Sequence, residues 1–145
     1  MRKAGGTSTT QAWGILLLRL VIGAVYVMHG YLAFAVLGPQ TVAGYITRIG
    51  YPSALGTVLA WYLIVVHVVG GVLIVIGLWT RWAALANIPP IASAVFLLHL
   101  QQGFFMKTVG PTSVGGYEFS LTVLVATIAL VFLGSGAASI DRARR

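Results

Sequence analysis

The chain of 145 residues has no cysteine, and 8% of its residues are charged. The missing cysteine excludes disulfides, thiolate catalysis and cysteine-ligated clusters. The shortage of charge excludes more. A soluble domain carries roughly 25% charged residues, and a water-facing surface cannot be built from what is present here. Acids are scarcest: Glu118 and Asp141 stand against nine lysines and arginines. The net charge of +7 is still no nucleic-acid footprint, because the basic residues are scattered over short loops and tails and form no stripe. The chain also carries no recognisable motif for flavin, haem or iron–sulfur binding. A stand-alone redox enzyme is therefore not expected, nor a covalently held cofactor.

Hydrocarbon is what the chain has in abundance, with 59% hydrophobic residues. Apolar stretches cover residues 12–37, 54–78, 82–101 and 117–134. Each is long enough, or nearly so, to cross about 30 Å of hydrocarbon as a helix. The expected fold is an all-α membrane protein, a four-transmembrane-helix bundle in the lipid bilayer. A cleaved leader competes for the first stretch, but that run is too long for an ordinary leader core and no small-x-small site follows it. Between spans one and two, Val42, Tyr45, Ile46 and Ile49 recur at helical spacing. They predict a short amphipathic outer helix with Arg48 towards water. Residues 1–11 read as a flexible cytoplasmic tail, 12–136 as the membrane domain and 137–145 as a basic cytoplasmic tail. Within span three, Pro89 and Pro90 cannot donate to the helix ladder, which predicts a kink near residues 85–90 with Asn87 or Ser93 helping to satisfy freed groups.

Few ionisable groups lie at membrane depth, and each needs a protein-facing or wet environment. Counting about 1.5 Å per residue from the inner end of each span, His29, His99 and Glu118 fall at one outer level, about 25 Å up. Arg19 lies about 10 Å up and His67 about 16 Å up, which makes them an expected inner polar pair if their helices adjoin. The outer trio has ligand types that suit a transition metal, but no two members share a short metal-binding motif, so no metal site is predicted. A hydrogen-bonded cluster that fixes helix packing is one role for the trio. The other is a site for a quinone head group: histidine can bond a quinone carbonyl and Glu118 can take the paired proton.

The segments LLLRLVIGAVYVMHG, GGVLIVIGLWTRWAAL, HLQQGFF and GYEFSLTVLVATIALVFLGSGAASID, in this order and spacing over residues 14–141, resemble the DoxX family. Arg19, His29, His99, Gly103, Glu118 and Asp141 stand at the matching places. The resemblance implies a bacterial or archaeal four-helix membrane protein, similar to the small membrane subunit of thiosulfate:quinone oxidoreductase, whose relatives associate with membrane oxidoreductase complexes. Two positions depart from the family pattern. Ala33 stands near the place of a lysine that usually follows the HG pair, and His67 stands where a glutamate usually precedes the mid-span GG. That glutamate would have been a natural partner for Arg19.

Together these observations lead to a small subunit of a larger membrane protein complex of oxidoreductase type, binding quinone or another lipid-soluble ligand near the outer leaflet at His29, His99 and Glu118. The alternative is a purely structural subunit that stabilises such a complex without ligand chemistry. A carrier or channel fits less well, since no inverted repeat is evident. Arg2, Lys3, Arg81, Arg142, Arg144 and Arg145 fall on one side, against Arg48 and Lys107 on the other. The basic excess predicts the cytoplasmic (inner) membrane with both termini inside. A C-terminal phosphatase reporter should therefore be silent and a C-terminal fluorescent protein bright; the reverse pattern would overturn the orientation.

Overall fold

A backbone in hydrocarbon must satisfy its own polar groups, and helices do so segment by segment. The apolar runs accordingly fold as helices in the computed structural model, which describes residues 9–109, 112–136 and 138–144, with the backbone alone for 107–109 and 112–114. Three helices are long and apolar enough to cross a membrane: α1 (Thr9–Leu37), α3 (Ser53–Ile76) and α4 (Thr80–Gln102). A fourth apolar helix, α5 (Tyr117–Leu133), has 17 residues. Between α1 and α3 lies the short helix α2 (Pro39–Arg48), and α6 (Ile140–Ala143) follows α5. A small antiparallel hairpin, β1 (Lys107–Val109) with β2 (Thr112–Val114), joins α4 to α5. The expected tail at 1–11 lies outside the described residues as far as residue 8, and the chain is already helical from Thr9.

The helices form a ring in which α1 packs on α3 and α5, and α4 packs on α5 and the middle of α3. One apolar cluster joins Ile22 and Tyr26 to Ile74, Ala84, Val123 and Leu130 at the centre of the ring. A second joins Ala33 of α1 to Val42 and Ile46 of α2 and to Ala60 and Ile64 of α3. The second cluster explains why α2 exists: its apolar stripe has a partner, while Tyr45 and Arg48 stay exposed. The outside of the ring is as apolar as its interior. Trp13, Leu17, Val21, Met28, Val58, Val69, Phe96 and Phe132 are all exposed, whereas Arg19, His67, Asn87, Ser120 and Thr127 are buried. This is the arrangement a lipid solvent favours.

Close approach of α1 and α3 depends on paired glycines. A Cβ added at Gly23 would lie 2.8 Å from the Gly71 carbonyl oxygen, and one at Gly71 would lie 2.9 Å from the Gly23 carbonyl oxygen. Lipid offers little hydrophobic gain for helix association, so this backbone contact has to supply much of the packing. Each of α1, α3 and α4 also contains a stretch of widened, π-type turns, at Leu32–Leu37, Val66–Gly70 and Ala94–His99. The middle one rotates His67 and Gly70 onto the buried face of α3. Replacing Gly71 with valine should cost about 1–3 kcal/mol through overpacking, read as a lowered melting temperature in detergent. Gly14→Ala, where a Cβ meets nothing within 4 Å, should leave it unchanged.

Candidate functional site: a polar interior and an outer cleft

The end of the ring where α3 stops and α4 begins is organised by Arg19. Its guanidinium donates to the carbonyls of Ile74 at 2.9 Å and Val75 at 2.8 Å, in the last turn of α3. It also donates to Ala138 at 2.8 Å and to Ser135, both beyond the end of α5. Terminal carbonyls of a helix carry the negative end of its dipole, so a cation there is favoured. The next link is conformational. Gly77 ends α3 with φ of 72°, and a Cβ there would lie 2.6 Å from Arg19 Nη2. Trp79 then takes φ of 49°, a left-handed conformation strained for a non-glycine residue. Asp141 holds this turn from the other side. Its Oδ1 accepts the Trp79 N–H at 3.0 Å, and its own N–H donates to the Gly77 carbonyl at 3.1 Å. The described C-terminal residues are thus bonded into this end of the ring. Arg81 adds a bond to the Phe132 carbonyl at 3.2 Å.

Higher up, polar groups from all four long helices line the interior. Tyr26 of α1 is almost wholly buried, and its hydroxyl lies 2.7 Å from Thr127 Oγ1 of α5. Thr127 Oγ1 donates to the Val123 carbonyl, so the tyrosine supplies the proton between them. The Tyr26 ring sits 4.9 Å from the His67 ring of α3. Asn87 of α4 donates to the carbonyls of Val66 and Ala83, each at 2.9 Å, and packs on Gly70. His67 Nδ1 and Asn87 Oδ1 are buried and make no well-formed hydrogen bond among the described residues, although the two side chains interact with each other. Arg19 and His67, expected to pair, are not brought together. Tyr26, which touches His67, lies two turns above Arg19 on α1, and the carbonyls that Arg19 binds lie two turns below His67 on α3. Helix-end carbonyls, with Asp141 adding a favourable field, take the place of the absent glutamate.

His29, His99 and Glu118 occupy the same end, opposite Arg19, but each has a partner of its own. The exposed His29 ring bonds the Val25 carbonyl at 2.9 Å and stacks on Phe119 at 6.0 Å. His99 Nδ1 lies 3.4 Å from Gln102 Oε1. Glu118 Oε1 accepts the Met106 N–H at 3.1 Å, while Tyr117 and Glu118 donate their own N–H groups to Gly103 and Phe104. Glu118 therefore staples the loop after α4 to the start of α5, where an acid also suits the helix dipole. Among the described residues no group of three histidines or acids is arranged to hold a metal.

Sequence reasoning did not find the cleft at this end, of about 460 Å³, between α2, α3 and α4. Its wall includes Pro89, Pro90 and three tyrosines, Tyr45, Tyr51 and Tyr62, and none of His29, His99 and Glu118. The proline pair was the available signal. The carbonyl that Pro90 cannot bond belongs to Ala86, and the Tyr62 hydroxyl takes it at 2.7 Å.

An apolar exterior, spanning helices and a polar interior define a multi-pass membrane protein. The chain belongs to the DoxX family, whose model matches residues 14–100. It is 28% identical to "Putative oxidoreductase CatD" of Bacillus subtilis (strain 168), over 88% of this chain and 84% of the relative. It is 33% identical to an uncharacterized membrane protein, Rv3486, of Mycobacterium tuberculosis (strain ATCC 25618 / H37Rv), over 88% and 79%. It is 30% identical to an uncharacterized protein of Haemophilus influenzae (strain ATCC 51907 / DSM 11121 / KW20 / Rd), over 86% and 85%. No solved structure is significantly similar to the chain.

Removing the Arg19 guanidinium takes a charged donor from the carbonyls of Val75, Ser135 and Ala138, while Ile74 keeps the Gly77 N–H. Arg19→Met should destabilise the fold by about 3 kcal/mol or more, followed by thermal circular dichroism in detergent. Arg19→Lys should fall between, because an ammonium cannot span the same carbonyls. Equal melting of Met, Lys and wild type would refute the clamp.

Proposed function

We propose that the protein is a small four-span subunit of the cytoplasmic membrane, with both termini inside, that works beside a membrane oxidoreductase and takes up a quinone or another lipid-soluble ligand near the outer leaflet. The observation that carries this reading is the apolar cleft at one end of the bundle. A concave, largely apolar site with a few polar groups is the usual form of a small-molecule pocket. The relative named as an oxidoreductase supports the redox association. For the fourth span, α5 covers about 26 Å, and its shortfall against the hydrocarbon thickness costs little per ångström. Of the two candidate ligand positions, the cleft is favoured over His29, His99 and Glu118, each of which spends one polar atom on Val25, Gln102 or Met106 and none of which lines the cleft.

A structural subunit is the second reading, and Arg19 favours it. The most costly polar group in the membrane is spent on binding the ends of two helices together. The two readings separate on purification in mild detergent, with mass spectrometry of co-purifying proteins and lipids. The proposal expects quinone or a comparable small lipid together with redox-protein partners. A stable larger complex containing no such ligand would establish the structural subunit instead.

A further inference from the structure

Resting on the reading of a lipid-soluble ligand, we infer that the cleft under α2 is its binding site, and that the site selects amphiphiles whose head ends in hydrogen-bond-accepting oxygens. The cleft lies between α2, the stretch Leu59–Leu63 of α3 and the stretch Pro89–Leu98 of α4. Its volume of about 460 Å³ suits a ring with a short chain. The wall beside the proline pair offers a ligand apolar surface and no free donor. Tyr62 donates its proton to Ala86, Ser93 donates to Pro89 at 2.8 Å, and Tyr51 donates to Ser93 at 2.8 Å. Pro89 and Pro90 have no N–H to offer. The hydroxyl protons of Tyr51, Tyr62 and Ser93 are therefore committed to the protein.

The side at Arg48 and Tyr45 is the opposite. Arg48 lies over the Tyr45 ring, with Cζ 5.5 Å from its centroid. Neither the guanidinium nor the Tyr45 hydroxyl has a hydrogen-bond partner among the described residues, and both border the cleft. The chain's two acids are committed elsewhere, Glu118 to Met106 and Asp141 to the turn at Trp79. No carboxylate of this chain neutralises Arg48, so free donors and a positive charge face whatever enters. An oxygen head seats at Arg48 and Tyr45, and its apolar body extends to the proline pair. A quinone carbonyl and a fatty-acid carboxylate share this head chemistry.

The test uses the full chain in phosphatidylcholine nanodiscs. Decylubiquinone binding is read by tryptophan quenching, and palmitate is added as competitor. Decylubiquinone should bind, and palmitate should displace it. Arg48→Gln should weaken binding about tenfold, as expected for losing a charge-assisted hydrogen bond. Ala94→Phe, which fills the cleft, should abolish binding at an unchanged melting temperature. Leu98→Trp fills the same space from its exposed rim should the first variant fail to fold. Affinity that survives Arg48→Gln and both filling variants but falls with His29→Ala or Glu118→Gln would overturn the cleft while leaving a lipid-soluble ligand in place. Binding without displacement by palmitate would overturn the shared head chemistry. Binding of neither probe would overturn the inference and the ligand reading together.

Discussion

Arg19 is the residue on which the rest of the bundle depends. A guanidinium cannot shed its proton, so a buried one must be met by acceptors. Here the acceptors are carbonyls at the end of α3 and in the segment after α5, where a helix ladder no longer supplies every donor. Two shortages thus cancel: α3 and the segment after α5 lack donors, and Arg19 lacks acceptors. The solution dictates its surroundings. Gly77 must lack a side chain, the turn to Trp79 must close tightly, and Asp141 must come back under the membrane domain to hold it. One buried cation therefore accounts for the glycine, the strained tryptophan and the bonded C-terminal segment.

Above the clamp, the same logic is repeated with weaker groups. Tyr26, Thr127, His67 and Asn87 bring one side chain from each long helix to the centre, while Gly23 and Gly71 let α1 and α3 meet backbone to backbone. Lipid tails are as apolar as leucine, so the hydrophobic effect cannot choose among helix arrangements. Small residues and internal hydrogen bonds choose instead. His67 Nδ1 and Asn87 Oδ1 mark the place where this interior is incompletely satisfied.

The sequence made the membrane class, three long helices and α2 legible, because hydropathy and helical spacing act locally. It also picked out Arg19 and His67 as costly groups, and both are buried. Their partners were not legible. Counting residues gives height along a helix but not direction around it. The count set His29, His99 and Glu118 at one level without revealing that His29 faces outward. Widened turns such as Val66–Gly70 further disturb the direction. Asn87 was read as help for the proline-freed carbonyls, yet it serves Val66 and Ala83, while Tyr62 from a neighbouring helix serves Ala86. Such a long-range bond leaves no local pattern.

The distribution of spent and unspent polarity bears on function. Arg19, Tyr26, Asn87, Glu118 and Asp141 are consumed in holding the chain together, so each is as good an argument for architecture as for chemistry. At the cleft, polarity is divided between the committed hydroxyls of Tyr51, Tyr62 and Ser93 and the free donors of Arg48 and Tyr45. Packing alone gives no reason for that division. Arg48 would be equally soluble anywhere on the exposed side of α2, and Tyr62 would be equally well bonded without a void beside it. An apolar wall next to free donors at Arg48 and Tyr45 is the division that the proposed amphiphile would use.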